Sequence, residues 1–437
     1  MEVAYLGHAA ILVRHAGASL VMDPWLSDPA YCNAWFHYPP LAFGIEDIQP
    51  LDWVWCSHDH PDHFDPRTLA SLPRDQKFIV PQFASGKLDR DLRAEGFTEL
   101  VPLEFDEPTE LAPGFEVTCV RTDLVWEDSA LIVRADGVTL FNMNDCKLGD
   151  DLLRELGDRY QPDISFLPFS GAIQFPTCYG YTDDELVSMC HRRQQQHLDW
   201  FVQRSELLRT ARAVPFAGNF ALLERDQVWM NEPSKNNINT PDQAVEALET
   251  KCPDIEGLQM NPGDVWTRDG GLVRHAPAPD YTRKMKDVIE LAASAAPVID
   301  ALRKAEPPAR ESLRDDFARF FGAVAERHPD LCTRINARIV FVAEGANGGS
   351  WCLNYTDGRL EITGFSDGDP WNLRVTLPAG LLHRAIDGDL TFDEVMLSFR
   401  VRFAENPEFF NRDFWVMLYN ADEEFLASYL ADPAPKF

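Results

Sequence analysis

Imidazole and carboxylate groups crowd one short segment, residues 57–65, which reads Ser-His-Asp-His-Pro-Asp-His-Phe-Asp. Neutral imidazole and carboxylate are the donors that suit zinc and iron in proteins. At the exit of a strand, His58 and His60 lie on one side and can hold one metal, whereas Asp62 and His63 can face a second. Two metals about 3.5–4 Å apart can bind and polarise water or dioxygen between them. The segment predicts a metal centre, because such a density of ligands after an apolar strand is unusual for a solvated loop.

The strands and helices predicted around residues 57–65 must hold these side chains in place. An apolar strand over Asp52–Ser57 precedes the segment, and a helix over Pro66–Ser71 follows it. Asp183–Ala211 has helical periodicity. Short apolar runs bounded by turn residues predict further strands over Met1–Leu6, Ala10–Arg14, Ser19–Met22, Lys77–Val80, Glu99–Pro102, Phe115–Arg121, Ala130–Arg134, Thr139–Asn142, Ile164–Leu167 and Ala213–Phe216. Many short strands mixed with helices favour a layered α/β sandwich.

A cluster of glycine and proline over residues 268–279 predicts a boundary. Helices are then expected over Tyr281–Lys304, Ala309–Arg327, Pro378–Asp387 and Phe392–Phe399, and strands over Ala337–Ala343, Trp351–Tyr355, Arg359–Thr363 and Trp371–Leu377. We therefore expect a metal-binding domain over residues 1–270, a helical linker region over 271–334 and a C-terminal α+β domain over 335–437.

The composition excludes several functions. A formal charge of −30 argues against a nucleic-acid groove or an anionic membrane surface. It does not exclude an anionic substrate, because a pocket can be locally basic. The nine cysteines form no C-x-x-C pair, and residues 1–12 carry no secretory stretch, so reduced thiols in a cytoplasmic protein are expected. The sequence contains no run of about 18 apolar residues, so we expect no membrane-spanning helix.

The H-x-H-x-D-H arrangement resembles the signature of the metallo-β-lactamase superfamily. Residues 5–9 (YLGHA) and 22–26 (MDPWL) are similar to the branch that contains ascorbate-6-phosphate lactonase and N-acyl-phosphatidylethanolamine phospholipase D. A closer similarity, to the iron-dependent CMP-N-acetylneuraminate hydroxylases, extends over Asp23–Leu26, the histidine segment, Asn142–Cys146, Pro215–Phe220, Asn231–Pro241 and Phe392–Trp415. The resemblance implies an α/β protein with the metallo-β-lactamase αββα sandwich and a C-terminal α+β domain.

The resemblance also implies site roles. Asp145 matches the aspartate that bridges the two metals and takes part in catalysis, and His8 faces the metal pocket and joins Asp145 as a catalytic candidate. Asp23 either orients a ligand histidine from outside the metal shell or caps a turn. Gly171 lies in a stretch that resembles the surroundings of the substrate pocket, where glycine permits close approach of the backbone.

The chain departs from the superfamily pattern at the third metal histidine, which should fall between Val120 and Leu131. No histidine occurs from Phe64 to Cys190, so Asp123, Glu127 and Asp128 are the available replacements. Glu127 is the leading candidate ligand because its length lets it bend back to a metal. A carboxylate in place of an imidazole favours iron or manganese over zinc.

Two further departures concern the chemistry. Residues 216–219 (Phe-Ala-Gly-Asn) stand where hydrolytic members have a late histidine, as in the hydroxylases. The hydroxylases also carry a Rieske domain, whose cluster needs two cysteines and two histidines, and no such set is evident in this chain. The histidine of Cys56-Ser57-His58 is already a predicted metal ligand, and no C-x-x-H occurs. We expect no Rieske cluster in this chain, so electrons would come from a separate donor protein or from the substrate.

The leading interpretation is a non-haem, dinuclear iron oxygenase that uses dioxygen to hydroxylate or oxidise a small polar metabolite. Asn236 and Asn237, in a donor-rich segment with Lys235 and Asn239, are candidate substrate contacts beside Gly171. One alternative is a metal-dependent hydrolase of a lactone, phosphodiester or amide, holding zinc or manganese. The other is a non-catalytic ligand-binding module, which the missing histidines suggest.

Overall fold

The computed structural model of the chain describes residues 1–122, 127–405, 409–421 and 425–431. The strands up to residue 273 are β1 (Glu2–Gly7), β2 (Ala10–His15), β3 (Ala18–Met22), β4 (Trp35–His37), β5 (Trp53–Trp55), β6 (Lys77–Pro81), β7 (Leu100–Leu103), β8 (Pro108–Ala112), β9 (Phe115–Arg121), β10 (Ser129–Ala135), β11 (Val138–Asn142), β12 (Ile164–Pro168), β13 (Arg212–Phe216), β14 (Phe220–Leu222), β15 (Glu256–Gly257), β16 (Val265–Thr267) and β17 (Gly271–Val273). The helices of this part are α1 (Ile45–Ile48), α2 (Pro66–Ala70), α3 (Lys87–Ala94), α4 (Asp150–Tyr160), α5 (Asp183–Leu207) and α6 (Pro241–Lys251).

Two sheets pack face to face in this part of the chain. One has the strand order β17-β16-β1-β2-β3-β5-β6-β7, and the other has the order β15-β13-β12-β11-β10-β9-β8. Their inner faces bury apolar side chains such as Ile11 and Trp55 from the first sheet and Leu131 and Phe166 from the second. Helices α1–α3 cover the first sheet and α4–α6 the second, each over its own apolar cluster. The predicted αββα sandwich is therefore confirmed.

The topology brings several loops to one edge of the sandwich. Strands β3, β5, β6 and β7 are parallel to one another, and so are β11, β12 and β13. Ligands bind outside the carboxyl ends of parallel strands in sheets of this kind. Asp23 follows β3, the histidine segment follows β5, and Asp145 follows β11. The sheets thus deliver the predicted metal ligands to a common edge.

The remaining elements are α7 (Lys284–Ala305), α8 (Leu313–Arg327), α9 (Pro329–Ile335), β18 (Arg338–Glu344), β19 (Gly349–Asn354), β20 (Glu361–Gly364), β21 (Leu373–Pro378), α10 (Ala379–Asp387), α11 (Phe392–Leu397), β22 (Arg402–Glu405), α12 (Arg412–Tyr419) and α13 (Phe425–Ala431). The five strands form one sheet in the order β20-β19-β18-β21-β22. The three-part division of the chain remains a prediction, and β17 carries the first sheet to Val273, slightly beyond the expected boundary.

The C-terminal elements pack directly against the sandwich. Their apolar cluster includes Trp25, Trp35 and Phe220 from the N-terminal part. The rings of Trp35 and Phe220 stack with centroids 3.6 Å apart, and Trp35 Nε1 donates to the Leu397 carbonyl at 2.8 Å. Helix α11 is thereby fixed over the same edge that carries the histidine segment.

The sequence predicts neither a membrane-spanning helix nor disulfide bonds. Among the described residues, no helix has both the length and the apolarity that a bilayer span requires. All nine cysteines are free thiols, and eight of them are buried. The thiols therefore form no disulfide framework, as the scattered spacing predicts.

A close contact between α4 and the end of α5 generates a stability prediction. A Cβ at Gly157 would overlap the Leu207 carbonyl and would lie 2.8 Å from the carbonyl carbon of Leu208. We expect Gly157→Ala to destabilise the protein by about 1–3 kcal/mol, because backbone cannot move aside cheaply. Gly322→Ala in α8 is the matched control, since its Cβ would meet nothing within 4 Å. The control should be neutral or stabilising by up to about 1 kcal/mol. Equal thermal unfolding midpoints would contradict the packing described.

Candidate metal centre

Two groups of three side chains meet at the sandwich edge. One comprises His58, His60 and Asp145, and the other comprises His8, Asp62 and His63; within each group the ligand atoms all lie within 4.8 Å of one another. Each group therefore offers two imidazoles and one carboxylate. The structure brings together the four predicted ligands of the histidine segment with Asp145. It also adds His8, which was predicted to face the pocket as a catalytic residue and was not among the predicted metal ligands.

Asp145 lies between the two groups. Its Oδ1 is 4.0 Å from His58 Nε2 and 3.5 Å from His63 Nε2. Both Asp145 Oδ1 and His63 Nε2 are buried without a hydrogen-bond partner. A buried polar atom that lacks a partner is costly, and a metal ion would satisfy both of these atoms. The residues present therefore fit a metal, and Asp145 has the position of a bridging ligand.

Outer carboxylates hold the far nitrogen of two imidazoles. Asp128 Oδ1 lies 3.3 Å from His58 Nδ1, and Asp23 Oδ2 lies 3.1 Å from His63 Nδ1. Asp23 also accepts the backbone N–H of Ser57 at 2.7 Å. Such partners fix the tautomer and orientation of metal-binding histidines and raise their basicity. In both residues Nε2 is left to face Asp145.

The third imidazole is held from the C-terminal part of the chain. Asp393, in the first turn of α11, places Oδ2 at 2.6 Å from His60 Nε2. This contact leaves Nδ1 of His60 for a metal. No local signal pointed to Asp393, although it lies within the Phe392–Trp415 stretch that resembles the hydroxylases.

Asp62 is fixed by two neighbours. His8 Nε2 lies 2.9 Å from its Oδ2, and the Tyr31 hydroxyl donates to its Oδ1 at 2.5 Å. Burial, reinforced by the Asp62 carboxylate, raises the pKa of Tyr31 well above its ordinary value. The phenol thus keeps its proton beside the centre. Nothing in the sequence pointed to Tyr31.

The potential at this centre favours a cation. Burial alone would lower the pKa of His60, but Asp393 and then Asp59 outweigh it and raise the pKa to about 10. Burial also opposes protonation of His63, and nearby carboxylates, with Asp62 first, still raise its pKa well above the ordinary value. Carboxylates that favour a proton on buried imidazoles also favour a metal dication in its place.

The structure places the candidate third-ligand residues differently from the expectation. Both carboxylate oxygens of Glu127 accept from Ser85, its backbone N–H at 2.9 Å and its hydroxyl at 2.5 Å. Glu127 joins neither ligand group, whereas Asp128 faces His58 as an orienting partner. Asp123 lies outside the described residues. The ligand role of Glu127 stays a prediction for which this geometry gives no support.

The predicted substrate contacts have structural partners. Asn236 and Asn237 are buried, and their amide groups donate to backbone carbonyls at Met230 and Phe175, both at 2.8 Å. The Gly171 N–H donates to the Asn237 carbonyl at 3.1 Å. These residues brace the loop after β12 rather than present free donors. A direct role in substrate binding remains a prediction.

The contact between His60 and Asp393 predicts that the C-terminal part controls metal affinity. We expect Asp393→Ala to weaken metal binding by about 10–100-fold, the usual effect of losing an orienting partner of a ligand histidine. Asp393→Asn, which can still accept from Nε2–H, should retain more metal. Asp389→Asn, at an exposed position, is the control. Metal titration with a chromophoric chelator measures the affinity, and equal affinities for Asp393→Ala and the control would exclude the positioning role.

A second pair of variants separates the third-ligand candidates. Glu127→Gln should leave metal content unchanged, because its carboxylate is committed to Ser85. Asp128→Asn should lower it, because His58 loses a charged partner at Nδ1. Elemental analysis of the two proteins measures the difference. The opposite order would restore Glu127 as a ligand.

The comparisons with known proteins agree with this fold. Residues 19–216 match the family model described as "Beta-lactamase superfamily domain". A protein of Mycolicibacterium smegmatis described as a putative Rieske 2Fe-2S iron-sulfur protein is 28% identical over 77% of this chain and 68% of its own length. The mouse cytidine monophosphate-N-acetylneuraminic acid hydroxylase is 21% identical over 95% of this chain and 73% of its own length. Two Mycobacterium tuberculosis relatives are covered over only 53% of their length.

Solved structures share the fold at low identity. The diiron β-hydroxylase CmlA from Streptomyces venezuelae is 17% identical, with 60% of this chain and 53% of that chain covered at a TM-score of 0.41. Other similar structures are metallo-hydrolases. These similarities concern the fold and do not choose between the two activities. Residues 19–216 are thus similar to a beta-lactamase superfamily domain, and the two face-to-face sheets described above have the αββα arrangement of the metallo-β-lactamase fold.

Proposed function

We propose that the chain is a non-haem, dinuclear iron-dependent oxygenase that oxidises a small polar metabolite. The observation that carries the proposal is the composition of the two ligand groups, each with two imidazoles and one carboxylate. Two histidines and one carboxylate, with positions left open, are the donor set of non-haem iron(II) oxygenases. Iron bound there would supply the capacity to activate dioxygen. The hydroxylase-named relatives support the same class of reaction.

The late histidine of hydrolytic members is missing from this chain, which removes one nitrogen donor and leaves a larger share of carboxylate oxygens among the candidate ligands. Asn219 stands in its place, and its Oδ1 accepts from Lys284 Nζ at 3.1 Å. The amide oxygen is thus engaged away from the imidazoles. Two imidazoles per group are fewer than in the catalytic zinc sites built from three histidines. Oxygen donors shift the preference toward harder metals such as iron and manganese.

In this proposal, the residues around the two ligand groups orient the metal ligands and hold a proton beside them. His58 and His63 present Nε2 toward Asp145, while outer carboxylates hold their Nδ1 atoms. Asp145 spans both groups, so it sets the separation between the two ligand sets. Tyr31 holds a proton at its hydroxyl, 2.5 Å from Asp62, and keeps that carboxylate oriented. His63 and Tyr31 are buried, whereas the Asp145 side chain is 37% exposed, so the centre is open to small molecules on the Asp145 side.

An oxygenase of this kind needs electrons. The Mycolicibacterium smegmatis relative is described as a putative Rieske iron-sulfur protein. We propose an iron–sulfur protein, separate from this chain, as the electron donor. Dioxygen and a small polar molecule are the proposed co-substrates.

Metal identity tests the proposal. We expect protein purified from cells supplemented with both iron and zinc to hold about two iron ions per chain, the number that two ligand groups accommodate. Mössbauer spectra should show two coupled iron ions. When the anaerobically reduced protein is mixed with oxygen, its visible spectrum should change and oxygen should be consumed. His60→Ala should lose metal, whereas His15→Ala, outside both groups, should keep it.

Other outcomes would point elsewhere. Stoichiometric zinc without iron, together with hydrolysis of lactone or phosphodiester substrates, would replace the oxygenase by a hydrolase. A folded protein that takes up no metal would favour the ligand-binding module. Full metal uptake by His60→Ala would show that the ligand set is wrong.

A further inference from the structure

Basic side chains gather on α5 near the metal centre. Burial first, and then the positive charges of Arg193, Arg204 and Lys147, lower the pKa of His197 to about 3. The guanidinium carbons of Arg193 and Arg204 lie 5.9 and 5.6 Å from the centroid of the Trp200 ring. Three cationic side chains therefore act on the imidazole of His197, and two of them, Arg193 and Arg204, also lie near the Trp200 indole.

These cations lack counter-ions. Within the described part of the chain, Arg193, Arg204 and Lys147 form no ion pair, and the hydrogen bond of Arg193 is to Gln196 on its own helix at 2.6 Å. Arg193 Nε and His197 Nε2 are buried without a partner. Burial lowers the pKa of Arg204 to about 10, and the nearby Asp150 carboxylate offsets this only in part.

This is unusual for so acidic a chain. With 70 acidic and 40 basic residues, carboxylates are abundant. Nearby surface arginines form ion pairs with carboxylates: Arg154 pairs with Asp151 at 2.7 Å, and Arg209 pairs with Asp158 at 2.7 Å. Arg193 and Arg204 are half-buried and form no ion pair in the described part of the chain, which indicates that an anion from outside the protein can pair with Arg193, whose Nε is buried without a partner.

A groove beside these cations has the size of a small-molecule site. Its volume is about 770 Å³. The residues that line it include two aromatic side chains, Phe175 and Trp200, and four hydrogen-bond donors, Arg192, Arg193, Gln196 and Gln203. Binding pockets for small molecules span about 300–1,000 Å³. The carboxylate in its lining, Asp199, is neutralised by Lys251 at 2.5 Å. We call this the basic groove.

The basic groove lies beside the loop that carries Asp145. Lys147 is two residues further along that loop, and the charge of Arg204 acts on the Cys146 thiol between them. Gln203, in the lining, donates to Asp150 at the start of α4 at 2.8 Å. The lining of the groove therefore contacts the start of α4, the helix that follows the loop carrying Asp145.

We propose that the basic groove binds an oxyanion of the substrate, a phosphate or a carboxylate, through Arg192 and Arg193, with Trp200 and Phe175 as apolar walls. Guanidinium groups recognise planar oxyanions through paired N–H donors. Arg204 and Lys147 add positive potential behind the groove. The substrate role rests on the proposed function, whereas the binding of an oxyanion does not.

Calorimetric titration of the metal-loaded protein with inorganic phosphate and, separately, with acetate tests the site. We expect the double variant Arg192→Gln/Arg193→Gln to weaken binding of at least one anion by about tenfold or more. Loss of phosphate binding would assign a phosphate, and loss of acetate binding a carboxylate. The control Arg154→Gln/Arg209→Gln makes the same change in net charge and should stay within about twofold.

Phosphate can also bind to metal ions, so the titration is repeated on His60→Ala. Binding that persists there and is lost in the arginine double variant supports the groove. Equal affinities in the arginine double variant and its control would overturn the proposal, as would binding lost only in His60→Ala. Arg193→Lys, which keeps the charge but loses the paired donors, guards against a folding defect and should bind with intermediate affinity. Metal content is measured in parallel, so failure of the oxygenase proposal is distinguished from failure of this one.

Discussion

Each of the three imidazoles in the histidine segment is held at one ring nitrogen by a carboxylate from elsewhere in the chain, and the site depends on these three contacts. The outer carboxylates follow β3, precede β10 and begin α11. An imidazole that donates through one nitrogen is fixed in the tautomer that presents the other to a metal. The free nitrogens of His58 and His63 both face Asp145, so this carboxylate lies next to both ligand groups although each group also has a carboxylate of its own.

The third of these contacts couples the metal centre to the assembly of the whole chain. Asp393 reaches His60 only when α11 is packed over the sandwich, and that packing relies on the stacked rings of Trp35 and Phe220 and on the bond from Trp35 to Leu397. A metal bound at His60 therefore stabilises the docking of the C-terminal elements. Conversely, the undocked state would lose affinity for metal, as linkage between folding and metal binding requires.

The sequence predicted the parts of the site that depend on local order. The strand before the histidines was expected over Asp52–Ser57 and ends at Trp55, because the following residues leave the sheet to form the metal loop. Four predicted ligands lie within six residues there, so spacing alone was enough to propose them, and the structure brings their side chains together. Asp393 could not be found that way, since it is 333 positions from its partner. The choice of Glu127 rested on reach, and the pairing with Ser85 is a tertiary contact that reach does not encode.

Charge is distributed unevenly at this edge, and the distribution explains how an acidic chain can handle an acidic ligand. Carboxylates dominate around the histidines, where they favour a metal cation, while Arg193 and Arg204 on α5 and Lys147 after β11 place positive charge around His197. The net charge of −30 says nothing about either region, because charges separated by more than about 10 Å are largely screened at physiological salt. The acidic net charge is therefore no obstacle to the proposed binding of an oxyanion, because the positive charges of Arg192 and Arg193 act within the basic groove itself.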